Sequence, residues 1–181
     1  MNFEEKQINA EYKYKGRIIN MRVDDIILPD GNPAFREYCK HIGAVCVLPL
    51  TENNEVVCVR QYRYAHSKVM LEIPAGKLDS HSEDFIEATL RELREETGAV
   101  CRELTHIATF YPSPAILGEK IEIFLARGLS FGETSLDEDE FLEVQKYDLE
   151  ELIDMILSGE ITDSKTIAAI LAYKEKYITR K

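Results

Sequence analysis

Long apolar runs are missing from this chain. The longest, about Ile42 to Leu50, is far too short to span a bilayer, which takes ~20 helical residues. The opening segment MNFEEKQINAEYKYKG is charged and has no apolar core of a secretory signal, so neither export nor membrane insertion is expected. Cysteine is sparse: Cys39, Cys46, Cys58 and Cys101 show no CxxC spacing and sit mostly in apolar, strand-like sequence. They read as reduced thiols in a cytoplasmic protein. Positive charge is also in deficit, with 22 Lys and Arg against 33 Asp and Glu and a net charge of −11. Such a field repels nucleic-acid backbones and anionic membrane surfaces, so neither is expected as a partner. An anionic small substrate would need metal ions and local Arg or Lys to overcome it. No repeat, low-complexity tract or Gly/Ser linker divides the 181 residues, a length that suits one large domain or one domain with a small appendage.

Extended segments dominate the first half of the chain. From Gly16 to Leu28 the apolar residues Ile18, Met21, Val23, Ile26 and Leu28 recur at near-alternate places, and Pro29-Asp30-Gly31-Asn32 signals a turn before Ala34 to Cys39. An N-terminal antiparallel β-hairpin is expected within residues 1–40. The stretches Gly43 to Leu50 and Glu55 to Tyr62 flank the turn Thr51-Glu52-Asn53-Asn54, and Val69 to Pro74 leads through Ala75-Gly76 into an acidic helix. For that helix Ser82 is a candidate cap, Asp84 and Glu87 have capping-box spacing, and Ile86, Leu90, Leu93 and Thr97 form the expected buried stripe. Gly98 is placed to end it. Strands near Leu104 to Tyr111 and Lys120 to Ala126 and helices near Leu149 to Leu157 and Ser164 to Tyr177 complete an α/β pattern.

The acidic helix is the most unusual segment. Arg91-Glu92-Leu93-Arg94-Glu95-Glu96-Thr97-Gly98 puts Glu92, Glu95 and Glu96 at i, i+3 and i+4, on one side of a helix. Their repulsion costs a few tenths of a kcal/mol per pair, roughly. A divalent cation would turn the same cluster into an oxygen-rich site. Helix chemistry by itself favours a blander reading, a solvated acidic face paired with Arg91 and Arg94.

The ordered spacing decides otherwise. Residues 76–98 resemble the Nudix box, in which a glycine is followed by a glutamate, then by Arg-Glu, an aliphatic residue, a Glu-Glu pair and a terminal glycine. Seven residues separate Glu83 from Arg91, and everything from Glu83 onward keeps the family spacing. Six residues lie between Gly76 and Glu83 where the family has five, a one-residue insertion in the loop ahead of the helix. The resemblance implies an α/β/α sandwich with a mixed sheet over residues 41–181, a divalent cation (Mg²⁺, or Mn²⁺ in its place), and hydrolysis of a nucleotide diphosphate. It implies Glu92 and Glu96 as metal ligands, with Glu95 and the carbonyl of Ala75 beside them, and Arg91 orienting the carboxylates. A plain i to i+4 pair of Arg91 with Glu95 is equally compatible. Glu83, in the place of the family's first glutamate, is expected to be structural.

Two further segments narrow the branch. In Phe110-Tyr111-Pro112-Ser113-Pro114-Ala115, Pro114 falls 16 residues after Gly98, an offset that resembles the ADP-ribose pyrophosphatase branch, although Ala115 replaces the glycine common after that proline. Two prolines around a serine could also be only a rigid turn. The run Leu136 to Val144 is similar to the branch's acidic loop, which implies Glu138 as the base that activates water and Glu140 as an auxiliary ligand. Glu119 and Glu95 are the alternative bases, and a solvated turn is the plain alternative. Upstream, KGRIINMRVDDIILPDG, Arg36 to His41 and Arg60 to Arg63 are similar to the same branch. This implies Arg36 and Arg63 as substrate ligands, with Glu72 beside the cleft; an arginine at a strand end can equally pair on the surface. His41 reads as structural, and Tyr12 or Tyr14 could stack on a base. The combined expectation is a cytoplasmic homodimer, its partner strand supplied by residues 1–40, that hydrolyses ADP-ribose to AMP and ribose 5-phosphate. Another nucleoside diphosphate sugar, a dinucleotide, or a non-catalytic nucleotide-sensing module are the alternatives.

Overall fold

The computed structural model describes residues 1–136 and 140–179, which divide into two compact units, Met1–Gly43 with Tyr111–Lys120, and Ala44–Phe110 with Ile121–Lys181. In the first unit, β1 (Lys6–Lys15), β2 (Asn20–Ile27) and β3 (Pro33–Lys40) form an antiparallel sheet in that order. The expected hairpin is β2 and β3, paired from Asn20↔Lys40 to Ile27↔Pro33. The third strand, β1, was not foreseen. All ten of its residues are exposed within the chain, so it has no buried face to impose a readable alternation, and its pairing with β2 carries register shifts after Gln7 and Tyr12. The segment between Tyr111 and Lys120 joins the edge of β3, where Cys39 donates to the Ile116 carbonyl at 2.8 Å and Gly118 donates to the Cys39 carbonyl at 2.9 Å.

The second unit is a layered α/β body. It contains β4 (Ala44–Pro49), β5 (Glu55–Arg63), β6 (Lys68–Glu72), β7 (Ala75–Lys77), α1 (Phe85–Thr97), β8 (Ala99–Val100), β9 (Glu103–Phe110), β10 (Ile121–Arg127), β11 (Ser130–Phe131), β12 (Leu142–Asp148), α2 (Leu149–Leu157) and α3 (Ser164–Lys174). The main sheet runs β7-β4-β10-β9 and is mixed, because β4 and β10 are parallel while the outer pairs are antiparallel. A second sheet, β12-β5-β6, is wholly antiparallel. Every residue of β4 is buried, as suits a strand covered on both faces. Cys46 and Leu48 pack with Leu152, Ile153, Ala169 and Ile170 of α2 and α3, whereas Val47 packs with Leu93 of α1. That alternation places the helices on opposite sides of the sheet. Among the described residues no helix is long and apolar enough to cross a membrane.

Helix α1 departs from its expected stripe. Ala88, Thr89, Glu92, Leu93, Glu96 and Thr97 are buried, while Ile86 and Leu90 are exposed. The helix is rotated so that two carboxylates point inward, a result that apolar patterning could not reveal. Its cap is Asp84, whose side chain accepts from the Ile86 amide, and not Ser82, which stays in the preceding turn bonded to Ser80.

Candidate active site

The site is built where β7 runs into the loop before α1 and the helix returns alongside it. Glu96 is buried, and its carboxylate accepts from the Ala75 amide at 3.2 Å. Glu92, one turn earlier, is also buried and lies directly over Gly76. A Cβ on Gly76 would fall 1.8 Å from a Glu92 carboxylate oxygen. The glycine is required because its missing side chain is the space that the carboxylate fills.

Burial and the nearby charges of Glu92 and Glu140 push the Glu96 carboxyl up to about 8. The Glu92 carboxyl is raised as well, mainly by burial, against the opposing pull of Arg91. These are acids arranged at the expense of their own ionisation, a signature of functional sites. Glu140 therefore stands close enough for both box glutamates to feel its charge. Glu95 is more exposed and bonds Arg91 at 3.2 Å.

Arg91 ties the box together. It donates to Glu83 at 3.0 Å, to Glu92 at 2.8 Å and to Glu95 at 3.2 Å. Burial works against its charge, but these carboxylates outweigh it and hold the guanidinium well above its ordinary pKa. Glu83 also accepts from the Asp79 amide at 2.6 Å. The inserted residue is absorbed in this loop, which closes on Glu83 and leaves the Glu83–Arg91 bond intact. Beside the outer face of α1 lies a cavity of about 650 Å³ lined by Leu90, Arg91, Arg94, Glu95, Val100, Cys101 and Ser135.

The remaining expected site residues fall into two groups. In the second unit Arg63 and Glu72 meet, Nε to one carboxylate oxygen at 2.7 Å and Nη2 to the other at 2.6 Å. Lys165, which the sequence reading passed over, donates to the same carboxylate. In the first unit Arg36 and Pro114 line one cavity of about 510 Å³ with Asp24, Tyr38 and Leu117. Arg36 is held there by Glu5 at 2.9 Å. The Pro112-Ser113-Pro114 segment is a tight turn in which the Ser113 carbonyl accepts from Leu117 at 2.9 Å. Glu119 stands 3.7 Å from His41, whose Nδ1 accepts from the Gly43 amide. Glu138 lies outside the described residues.

The donors suit a hard divalent cation in kind: two buried carboxyls, both with raised pKa values, packed against the Ala75-Gly76 backbone. Among the described residues no three His, Cys, Asp or Glu side chains already converge as a metal cage. Arg91 instead holds Glu92 and Glu95 by hydrogen bonds of 2.8 and 3.2 Å.

Fold, box and buried carboxylates together place the chain in the Nudix family. The NUDIX domain model matches residues 40–170, and the model of a nucleoside diphosphate sugar hydrolase N-terminal domain matches residues 5–38. Among curated relatives, the chain is 43% identical to the ADP-ribose pyrophosphatase of Bacillus subtilis, covering 93% of this chain and 92% of that one. It is 42% identical to the methanol dehydrogenase activator of Bacillus methanolicus, over 93% and 91% of the two chains, and 31% identical to an ADP-ribose pyrophosphatase of Mycobacterium tuberculosis, over 91% and 81%. A crystal structure of an ADP compounds hydrolase superposes with a TM-score of 0.84 at 21% identity, covering 97% of this chain and 95% of that one, which establishes the shared fold.

Proposed function

We propose that this Nudix hydrolase is a cytoplasmic, homodimeric, Mg²⁺-dependent enzyme that adds water across the diphosphate of ADP-ribose, releasing AMP and ribose 5-phosphate. The observation that carries the reading is the burial of Glu92 and Glu96 against the Ala75-Gly76 backbone. Burying two neighbouring carboxyls against their own ionisation is costly, and such arrangements cluster at functional sites, where a cation would offset the cost. The names of the relatives at 43% and 31% identity supply the substrate.

In this reading Glu92, Glu96 and the Ala75 carbonyl hold the cation, with Glu95 and Glu140 assisting. Mg²⁺, or Mn²⁺ in its place, would withdraw charge from the diphosphate oxygens and make a water acidic enough to attack. Arg91 fixes the Glu92 carboxylate by a charge-assisted bond. Glu138 accepts the proton of the attacking water, and Glu95 and Glu119 are the next candidates. Arg63, held by Glu72, turns its exposed guanidinium edge to the substrate, and Arg36 beside Pro114 is the second substrate arginine. The relative named as a methanol dehydrogenase activator is almost as similar, and the retained carboxylates favour turnover over binding alone.

The test is competition among ADP-ribose, ADP-glucose, diadenosine polyphosphates and nucleoside triphosphates in one Mg²⁺ buffer, read by product chromatography. ADP-ribose is expected to show the highest kcat/KM. A preference for triphosphates or diadenosine compounds would overturn the substrate while leaving the hydrolase. Glu138→Gln should lower kcat with little change in metal affinity. If Glu95→Gln is inactive while Glu138→Gln and Glu140→Gln are normal, the base is on α1.

A further inference from the structure

A lysine in the first turn of a helix is out of place electrostatically, because the exposed amides there already carry partial positive charge. Lys165 occupies that position in α3, directly after the N-cap Asp163 and Ser164. Its side chain is only 12% exposed. Two carboxylates account for it. Lys165 donates to Glu72, which is almost wholly buried at the end of β6, and to Asp163 at 2.9 Å. Asp163 accepts from the Thr166 amide at 2.9 Å and from its hydroxyl at 2.6 Å. The Thr166 hydroxyl in turn accepts from the Ile73 amide at 2.9 Å. The start of α3 is thereby fastened to the strand end that carries Glu72.

The charges form a neutral quartet: Arg63 and Lys165 against Glu72 and Asp163. Arg63 spends Nε and Nη2 on Glu72, which leaves Nη1 outside this pair on a side chain that is 40% exposed. Lys165 is too enclosed to share that outward role. Without it, Arg63 alone of the quartet would face the two carboxylates. The guanidinium would be drawn inward, and the locality would carry one net negative charge where an anionic substrate has to approach.

We propose that Lys165 is a positioning residue for substrate binding: by neutralising and fixing Glu72 from the inside, it frees the outer edge of Arg63 to engage the diphosphate sugar. This rests on the reading above in which Arg63 contacts substrate. Lys165 bonds neither Glu92 nor Glu96, so the role belongs to binding first; its charge does favour the ionised form of Glu96, which is why kcat and KM are read separately.

The experiment is a double-mutant cycle with full-length protein, ADP-ribose and saturating Mg²⁺, reading KM and kcat separately. Lys165→Met is expected to raise KM by about tenfold while kcat stays within about threefold. Arg63→Ala is expected to raise KM at least as much, and the double variant should be no worse than Arg63→Ala, because residues acting through one another are not additive. KM effects that multiply in the double variant, or a lowered kcat at unchanged KM for Lys165→Met, would overturn the positioning role alone. An inactive wild type, or an unchanged KM in Arg63→Ala, would instead overturn the reading on which it rests. If Lys165→Met does not fold, Lys165→Gln keeps a donor without the charge and is read by the same cycle.

Discussion

Gly76 and Glu92 compete for one volume, and that competition is the sharpest constraint in the site. Alanine at position 76 would put a methyl group where the Glu92 carboxylate lies. The obstacle is the far end of a flexible side chain, so the chain can still fold by turning Glu92 away. Gly76→Ala is therefore expected to lose about 10²-fold or more in kcat, with little change in melting temperature; near-normal activity would show that Glu92 need not sit there. Glu96 gives the opposite pairing of effects. Its folded carboxyl, at about 8, lies above the ordinary glutamate value of 4.5, so the folded state holds the proton more tightly than the unfolded state does. The sign follows: the folded chain binds more protons between those two values, and stability falls as pH rises across that window. Glu96→Gln removes the titration. In chelator the variant should melt above the wild type, by a margin that widens from pH 5 to pH 8, while Mg²⁺-dependent turnover falls by at least ~10²-fold. A margin that does not change with pH would mean that the buried charge is relieved elsewhere.

The elements were legible where local chemistry and tertiary demand agree. Helix α2 follows the expected bounds because Asp148 caps it through the Glu150 and Glu151 amides and its apolar stripe is the buried one. Helix α1 was legible as a box and misread as a surface. Its fixed residues announced the carboxylates, but Ile86 and Leu90 were assigned inward by periodicity when the inward positions had been given to Glu92 and Glu96. The Arg63–Glu72–Lys165 cluster was half legible: Arg63 and Glu72 stood in a recognisable stretch, while Lys165 joins them from 93 residues away, a distance across which no spacing rule operates. The cap of α1 gives an element-scale check. Asp84→Ala should cost about 1 kcal/mol of stability, the usual loss of an N-cap, with a lower melting temperature in denaturation by heat or urea. Ser82→Ala should be nearly neutral, since the Ile86 amide bonds Asp84 instead. Equal losses from both would restore Ser82 as a second cap.

At the scale of the molecule the unexplained surface is β1. A ten-residue strand with no buried residue that presents Ile8, Tyr12 and Tyr14 leaves apolar area and a strand edge to water, which chains ordinarily avoid or cover. A second copy of the chain is the occupant proposed for it, as the homodimer expected from residues 1–40 requires. Interfaces of that kind bury upwards of ~2,000 Å² in total, enough to hold the dimer at micromolar concentration. Sedimentation of the wild type should then give a homodimer, and deletion of residues 1–40 should abolish it and weaken ADP-ribose binding together. Deletion also strips the segment between Tyr111 and Lys120 of its bonds to Cys39, so a point variant is the cleaner probe. Ile8→Asp alters a side chain that is 61% exposed within one chain and should cost the isolated fold little. It is expected to yield a folded monomer with raised KM and unchanged Mg²⁺ requirement. A wild type that sediments as a monomer, or an Ile8→Asp variant that remains dimeric with normal KM, would remove β1 from the interface.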